Sequence, residues 1–128
     1  MANKSKHGER NICLSEELRE GNIYFDWSVT TAFYSAIQFV EHKIFPFDKD
    51  GIEIKNINDA RKSFGYPGRH KTREALVYKI LGASIGAKYK WLEDKSRNAR
   101  YVSFKITVSE AEKAIQYCRE IKEACLEP

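Results

Sequence analysis

From Ile23 to Phe45 the chain contains neither proline nor glycine, and its apolar residues fall into two helical rows. Ile23, Trp27, Thr30, Tyr34, Ile37 and Ile44 form one; Val29, Phe33, Ala36 and Val40 form the other, beside it. Two adjacent rows describe a helix buried over most of its circumference. The stretch is long enough for about six turns at 3.6 residues each. A segment of this kind forms the central helix of a small bundle, and the rest of the chain must supply its cover.

The chain has 128 residues, 42% of them hydrophobic, which suits one domain with a core of its own. The expectation is a single helical domain over 1–128, with residues 1–8 flexible. No run of about eighteen residues is free of polar groups, and the Met-Ala-Asn-Lys-Ser-Lys start lacks a secretory apolar stretch, so the reading is cytoplasmic with no membrane contact. Cys13, Cys118 and Cys125 form no Cys-x-x-Cys pair. Their odd number argues against a disulfide framework, and Cys118 and Cys125 read as small packing groups.

Several helices flank the central one. Glu9 to Glu20 reads as a first helix with Ile12, Leu14 and Leu18 as its apolar content, ended by Gly21-Asn22. Pro46 stops the central helix, and Asp50-Gly51 marks a turn. Asp48-x-Asp50-Gly51 has the outline of a calcium loop, but Pro46 occupies the first ligand position and no Glu stands six after the glycine. No metal is expected.

A short helix over 58–64 ends at Gly65, and a long one spans Arg69 to Leu81. Gly82 to Gly86 reads as a break before a helix from Ile85 or Ala87 to Tyr101, whose inner face is Ile85, Tyr89, Leu92, Ser96 and Ala99. Ser103 to Val108 is an extended connector. Ser109-Glu110-Ala111-Glu112 has the form of a capping box, and Ala111, Ala114, Ile115, Cys118, Ile121 and Cys125 make the stripe of a last helix. The predicted fold class is all-α, an up-and-down bundle of four long helices plus a short one. No repeat period points to a solenoid.

Charge is unevenly spread. Residues 1–54 hold 6 Lys/Arg against 9 Asp/Glu, net −3; residues 55–105 hold 13 against 4, net +9; residues 106–128 hold 3 against 5, net −2. A basic middle suits a polyanion or an acidic partner; the plainer alternative is a solvated basic face. Within this section His70 and Arg73 extend the stripe of Val77. Arg100 projects within about 20° of Tyr89, with Arg97 roughly 80° round. If the helices carrying these residues are antiparallel, His70 and the segment from Arg97 to Tyr101 meet at one end.

Such a cluster suits metal-free RNA cleavage, which needs a titrating group and cations around the phosphorane, with His70 and Arg97 as the candidates. It equally suits a structural role, with the arginines clamping carbonyls or carboxylates. Tyr66, Tyr78, Tyr89, Trp91 and Tyr101 interleave with Lys71, Lys79, Lys88, Lys90 and Lys95. Aromatics beside cations can stack bases, although most of these rings fit a core equally well. Dinucleotide, phosphate-loop and zinc-protease motifs are absent, so no cofactor is expected.

The order Glu20-Gly21-Asn22-Ile23-Tyr24, Asp26-Trp27-Ser28-Val29, Ala32-Phe33-Tyr34-Ser35-Ala36, His70-x-x-Arg73, Tyr89-x-x-Leu92 and Ser96-Arg97-Asn98-Ala99-Arg100-Tyr101 resembles the HEPN domains of prokaryotes over nearly the whole chain. The resemblance implies a helical bundle, commonly homodimeric, associated with RNA in toxin–antitoxin or defence systems, with a partner protein such as a nucleotidyltransferase. Catalytic members carry an arginine followed four to six residues later by a histidine. Here Tyr101, Val102 and Ser103 follow Arg97 at those positions, and Arg61 stands nine before His70. Nuclease activity is therefore not carried over. By the resemblance the binding candidates are Arg69, His70, Arg73, Arg97, Arg100 and Tyr101. The leading expectation is an RNA-binding module; the alternatives are a ribonuclease built on His70 and a non-catalytic interaction module.

Overall fold

The computed structural model describes residues 3–126. Among the described residues six helices carry the fold: α1 (Lys4–Glu20), α2 (Phe25–Ile44), α3 (Ile57–Phe64), α4 (Arg69–Leu81), α5 (Ala83–Tyr101) and α6 (Val108–Leu126). Between α2 and α3 lies a hairpin of β1 (Phe47–Lys49) and β2 (Ile52–Ile54). The described residues are all-α apart from this hairpin, which pairs antiparallel with Asp48 opposite Glu53. The sequence shows its turn but not its strands, which are only three residues each. Asp50 and Gly51 both take positive φ, the requirement of a two-residue hairpin turn. No helix among the described residues is long and apolar enough to cross a membrane.

α2 is the centre, packed by α1, α5 and α6. The row Val29, Phe33, Ala36 and Val40 is fully buried. α6 turns its Ala111, Ala114, Ile115, Cys118, Ile121 and Cys125 stripe inward, and burial pushes both thiols up to about 12. α1 differs from expectation in two respects. It begins at Lys4 under an Asn3 cap, so residues 4–8 are helical, while Met1 and Ala2 lie outside the described residues. Its packing rests on small groups as much as on Ile12, because Leu14 is exposed. The Ser35 hydroxyl donates to the Gly8 carbonyl at 2.7 Å, and Ser15 and Ser28 exchange hydroxyl-to-carbonyl bonds at 2.6 and 2.8 Å. A Cβ on Gly8 would sit 2.9 Å from the Phe39 ring, so the glycine admits the close approach.

Two further boundaries move. Gly82, at φ 92, is the whole break between α4 and α5, and Gly86 lies buried inside α5. The α6 cap is Thr107 with Glu110, two residues earlier than the box read at Ser109 and Glu112. The Glu110 carboxylate accepts from the Thr107 amide at 2.9 Å, and the Thr107 hydroxyl from the Glu110 amide at 3.1 Å. Lys95 of α5 holds that same carboxylate at 2.6 Å, a tertiary contact that favours this box over its neighbour.

Candidate nucleic-acid interface

Side-chain contacts set the direction of α4 against α5. Tyr78 lies on Gly86, Glu74 pairs with Lys90 at 3.5 Å, and His70 lies within the fields of Arg97 and Arg100. The two helices are therefore antiparallel, and His70, Arg97 and Arg100 share one end of the pair. α2 also runs antiparallel to α5, since Arg100 reaches Tyr34 while Tyr89 lies within the field of Glu41.

α4 starts late. Its Arg73 donates through Nε to Glu41 of α2 at 2.8 Å, both side chains being 8% exposed, and Lys4 supplies the other carboxylate oxygen with a partner at 3.1 Å. Arg69 lies only about 6 Å before Arg73 along the axis, whereas Trp27 lies about 21 Å before Glu41 on α2. α4 extends no further toward the start of α2, and one face of the N-terminal half of α2 forms an open shelf with the last turn of α5.

Aromatic and cationic groups occupy this shelf. Arg100 donates through Nη1 to the Tyr34 hydroxyl at 3.0 Å and through Nε to the Ser96 carbonyl at 3.2 Å. Its guanidinium carbon lies 5.6 Å from the Tyr34 ring centre and 5.1 Å from that of Tyr101, within cation–π range of both. Tyr101 is 76% exposed. Trp27, one heptad before Tyr34 and about 20° from it around the helix, is 53% exposed. Arg97 is exposed, with a long 3.6 Å contact to Glu93.

The start of α4 adds positive charge. Its N-cap is Gly68, with no side-chain cap, and no acid stands in its first turn. Arg69, His70 and Lys71 instead occupy the positive end of the helix dipole, an arrangement that an anion would relieve. Burial and then the neighbouring guanidinia of Arg73, Arg100, Arg97 and Arg69 hold the His70 pKa below its ordinary 6.5. The imidazole is thus neutral at pH 7. Arg73 Nη1 lies 3.4 Å from His70 Nδ1. Because arginine only donates, Nδ1 is the acceptor in this contact and Nε2 carries the proton.

Beneath the shelf, Tyr89, Glu93 and Ser96 make one buried row on α5. Their Oη, Oε2 and Oγ atoms have no hydrogen-bond partner among the described residues. The Tyr89 hydroxyl is close enough to Arg73 for the guanidinium to oppose the strong upward push of burial on its pKa, but no donor geometry is satisfied. Burial, then the charge of Glu74, raises the Glu93 pKa against Lys90 and Arg97.

Of the sequence candidates, Arg69, His70, Arg73, Arg97, Arg100 and Tyr101 converge, with Arg73 turned inward and the other five around the shelf. Trp27 and Tyr34, which the sequence places in an apolar row of the central helix, join them, as do Glu41 and Glu93, to which it assigns no role. The signal for Glu41 was available: it stands seven after Tyr34, so a carboxylate extends an otherwise packed row and requires a buried partner. Tyr89 belongs to the core, as its place on the inner face predicts. No group of histidine, cysteine and carboxylate side chains among the described residues could hold a metal ion. No family model matches the chain, and neither a curated protein nor a solved structure proves similar to it.

Proposed function

We propose that this protein is a HEPN-like helical bundle that binds single-stranded RNA on the shelf between α2 and α5, in a toxin–antitoxin or defence setting. The observation that carries the reading is Arg100 set between Tyr34 and the exposed Tyr101, with Arg97, Arg69 and the uncapped start of α4 beside it. Exposed rings stack on unpaired bases, and guanidinia and helix amides hold phosphates. His70 adds an Nε2–H donor for a phosphate oxygen. That tautomer donates rather than accepts, which favours binding over cleavage with His70 as base.

Fluorescence anisotropy with a labelled single-stranded RNA of about twelve nucleotides, repeated at rising salt, tests the reading. Expected is binding whose affinity falls with salt, with a slope of about −0.7 per phosphate contact. Absence of binding, or binding indifferent to salt, overturns it. Incubation of the RNA in EDTA checks for cleavage, and a product lost in His70→Ala would restore the nuclease alternative.

A homodimer has its own support. Val102 and Phe104, 75% and 73% exposed, follow Tyr101 at the pole where the exposed Ile23 and Tyr24 lead into α2. Arg19 with Glu112 places the starts of α2 and α6 at this same pole, so the connector between α5 and α6 lies there too. Exposed apolar side chains grouped in this way mark an interaction surface. Light scattering on the purified protein reads the oligomeric state, and a monomer at all concentrations excludes the dimer.

A further inference from the structure

Along α4 a groove of about 290 Å³ is lined by Tyr66, Pro67, Lys71, Glu74, Ala75 and Tyr78. Both aromatic walls are held in place. Tyr66 stacks on Phe64 at 5.9 Å with the planes 24° apart. Tyr78 lies on Gly86 so closely that a Cβ there would sit 2.4 Å from its Cδ1. Glycine weakens a helix interior, so its presence within α5 sets the position of the Tyr78 ring at a cost to local stability. The tyrosines nevertheless remain exposed to solvent.

The polar groups of the groove differ in kind. Lys71 is an exposed cation at its rim. Glu74 is largely buried, with Oε2 3.5 Å from Lys90 Nζ, so its carboxylate is tethered on one side and lines the groove with the rest. A groove lined by two tyrosines, with a cation at the rim and a tethered acceptor, matches the face, phosphate and donor edge of a nucleotide. Arg69 and His70 at the shelf and Lys71 at the groove are consecutive, so one strand can run from the first site to the second.

We infer that this groove is a second nucleobase subsite on the same strand, selecting an unpaired base that carries an exocyclic amino group, with cytosine the pyrimidine case. The inference rests on the reading of the shelf as an RNA interface. The base lies against Tyr66 and Tyr78, its phosphate contacts Lys71, and the Glu74 carboxylate accepts from the amino group, as carboxylates accept from cytosine N4. Uracil presents a carbonyl oxygen at that position and is repelled.

The test compares labelled oligo(C) and oligo(U) of equal length by anisotropy at one salt concentration. Expected is tighter binding of oligo(C), by about tenfold, the scale of one good base contact. Tyr66→Ala and Tyr78→Ala should each weaken oligo(C) by about tenfold, the loss of one stacked ring, while Tyr78→Phe retains the affinity. Glu74→Gln, which adds an amide donor, should remove the preference for C without lowering oligo(U) binding. A melting curve on each variant establishes that it folds. Arg97→Ala/Arg100→Ala should weaken both oligonucleotides alike. Wild-type binding that depends on Arg97 and Arg100 but ignores both tyrosines and the base identity overturns the groove and leaves the shelf reading intact. Binding of neither oligonucleotide overturns the shelf reading, and the groove with it.

Discussion

The two apolar rows of α2 carry similar side chains and meet different surroundings. Val29, Phe33, Ala36 and Val40 are fully enclosed by neighbouring helices. In the other row Thr30 and Ile44 are buried and Ile37 is half-buried, but Trp27 and Tyr34 stand open; Ile23, expected as its first member, is exposed and precedes the helix, which starts at Phe25. Helical periodicity reports the direction in which a side chain points. Whether anything lies in that direction depends on where a distant helix starts. α4 reaches toward the start of α2 only as far as Glu41, so Trp27 and Tyr34 are left as a surface of aromatic rings beside arginines, while Thr30 between them is buried.

Substitutions in the two rows should separate these roles most sharply. Phe33→Ala removes a buried ring 5.6 Å from that of Tyr89 and should lower unfolding free energy by about 3–5 kcal/mol in a denaturant titration. Trp27→Ala, with half its surface in water, should cost at most about 1 kcal/mol and still reduce RNA affinity. Equal losses of stability would mean that the open row is core after all.

The arginines divide in the same way. Glu41→Ala strands the buried Arg73 and should cost about 3–5 kcal/mol. Arg97→Ala/Arg100→Ala lies at the surface and should cost about 1 kcal/mol or less, while flattening the salt slope of RNA binding by roughly 1.4. A large fall in melting temperature for the double variant would instead make the cluster a structural clamp.

The smallest effect concerns His70, whose pKa lies below 6.5 in the folded chain. Above that value the group is neutral folded and unfolded, and the shift leaves stability unchanged. As pH falls through 6.5 the unfolded chain takes up the proton first, so stability declines until the folded pKa is passed. His70→Gln should flatten that part of the profile. A bound phosphate favours the imidazolium, so RNA affinity should rise as the pH is lowered toward the folded pKa in the wild type and stay level in the variant.

Much of the helical order is legible because it is local. Arg69 to Leu81 has the bounds its pattern predicts, and every member of the α6 stripe is buried. The misreadings share a cause. Gly86 looked like a break, since nothing nearby in sequence shows that the Tyr78 ring occupies the place of its side chain. Thr107-x-x-Glu110 and Ser109-x-x-Glu112 are equivalent as patterns, and the first is used where Lys95 from another helix joins it. Glu41 and Arg73 are 32 residues apart, and only folding makes them partners.

By itself the sequence determined where helices form, which of their faces are apolar, and that the excess positive charge lies within residues 55–105. These follow from side-chain periodicity, caps and composition, which act over a few residues. The tertiary structure alone decided which apolar faces stay uncovered and which cations share a surface. Those outcomes depend on helix lengths and directions, and therefore on contacts between residues far apart in the chain.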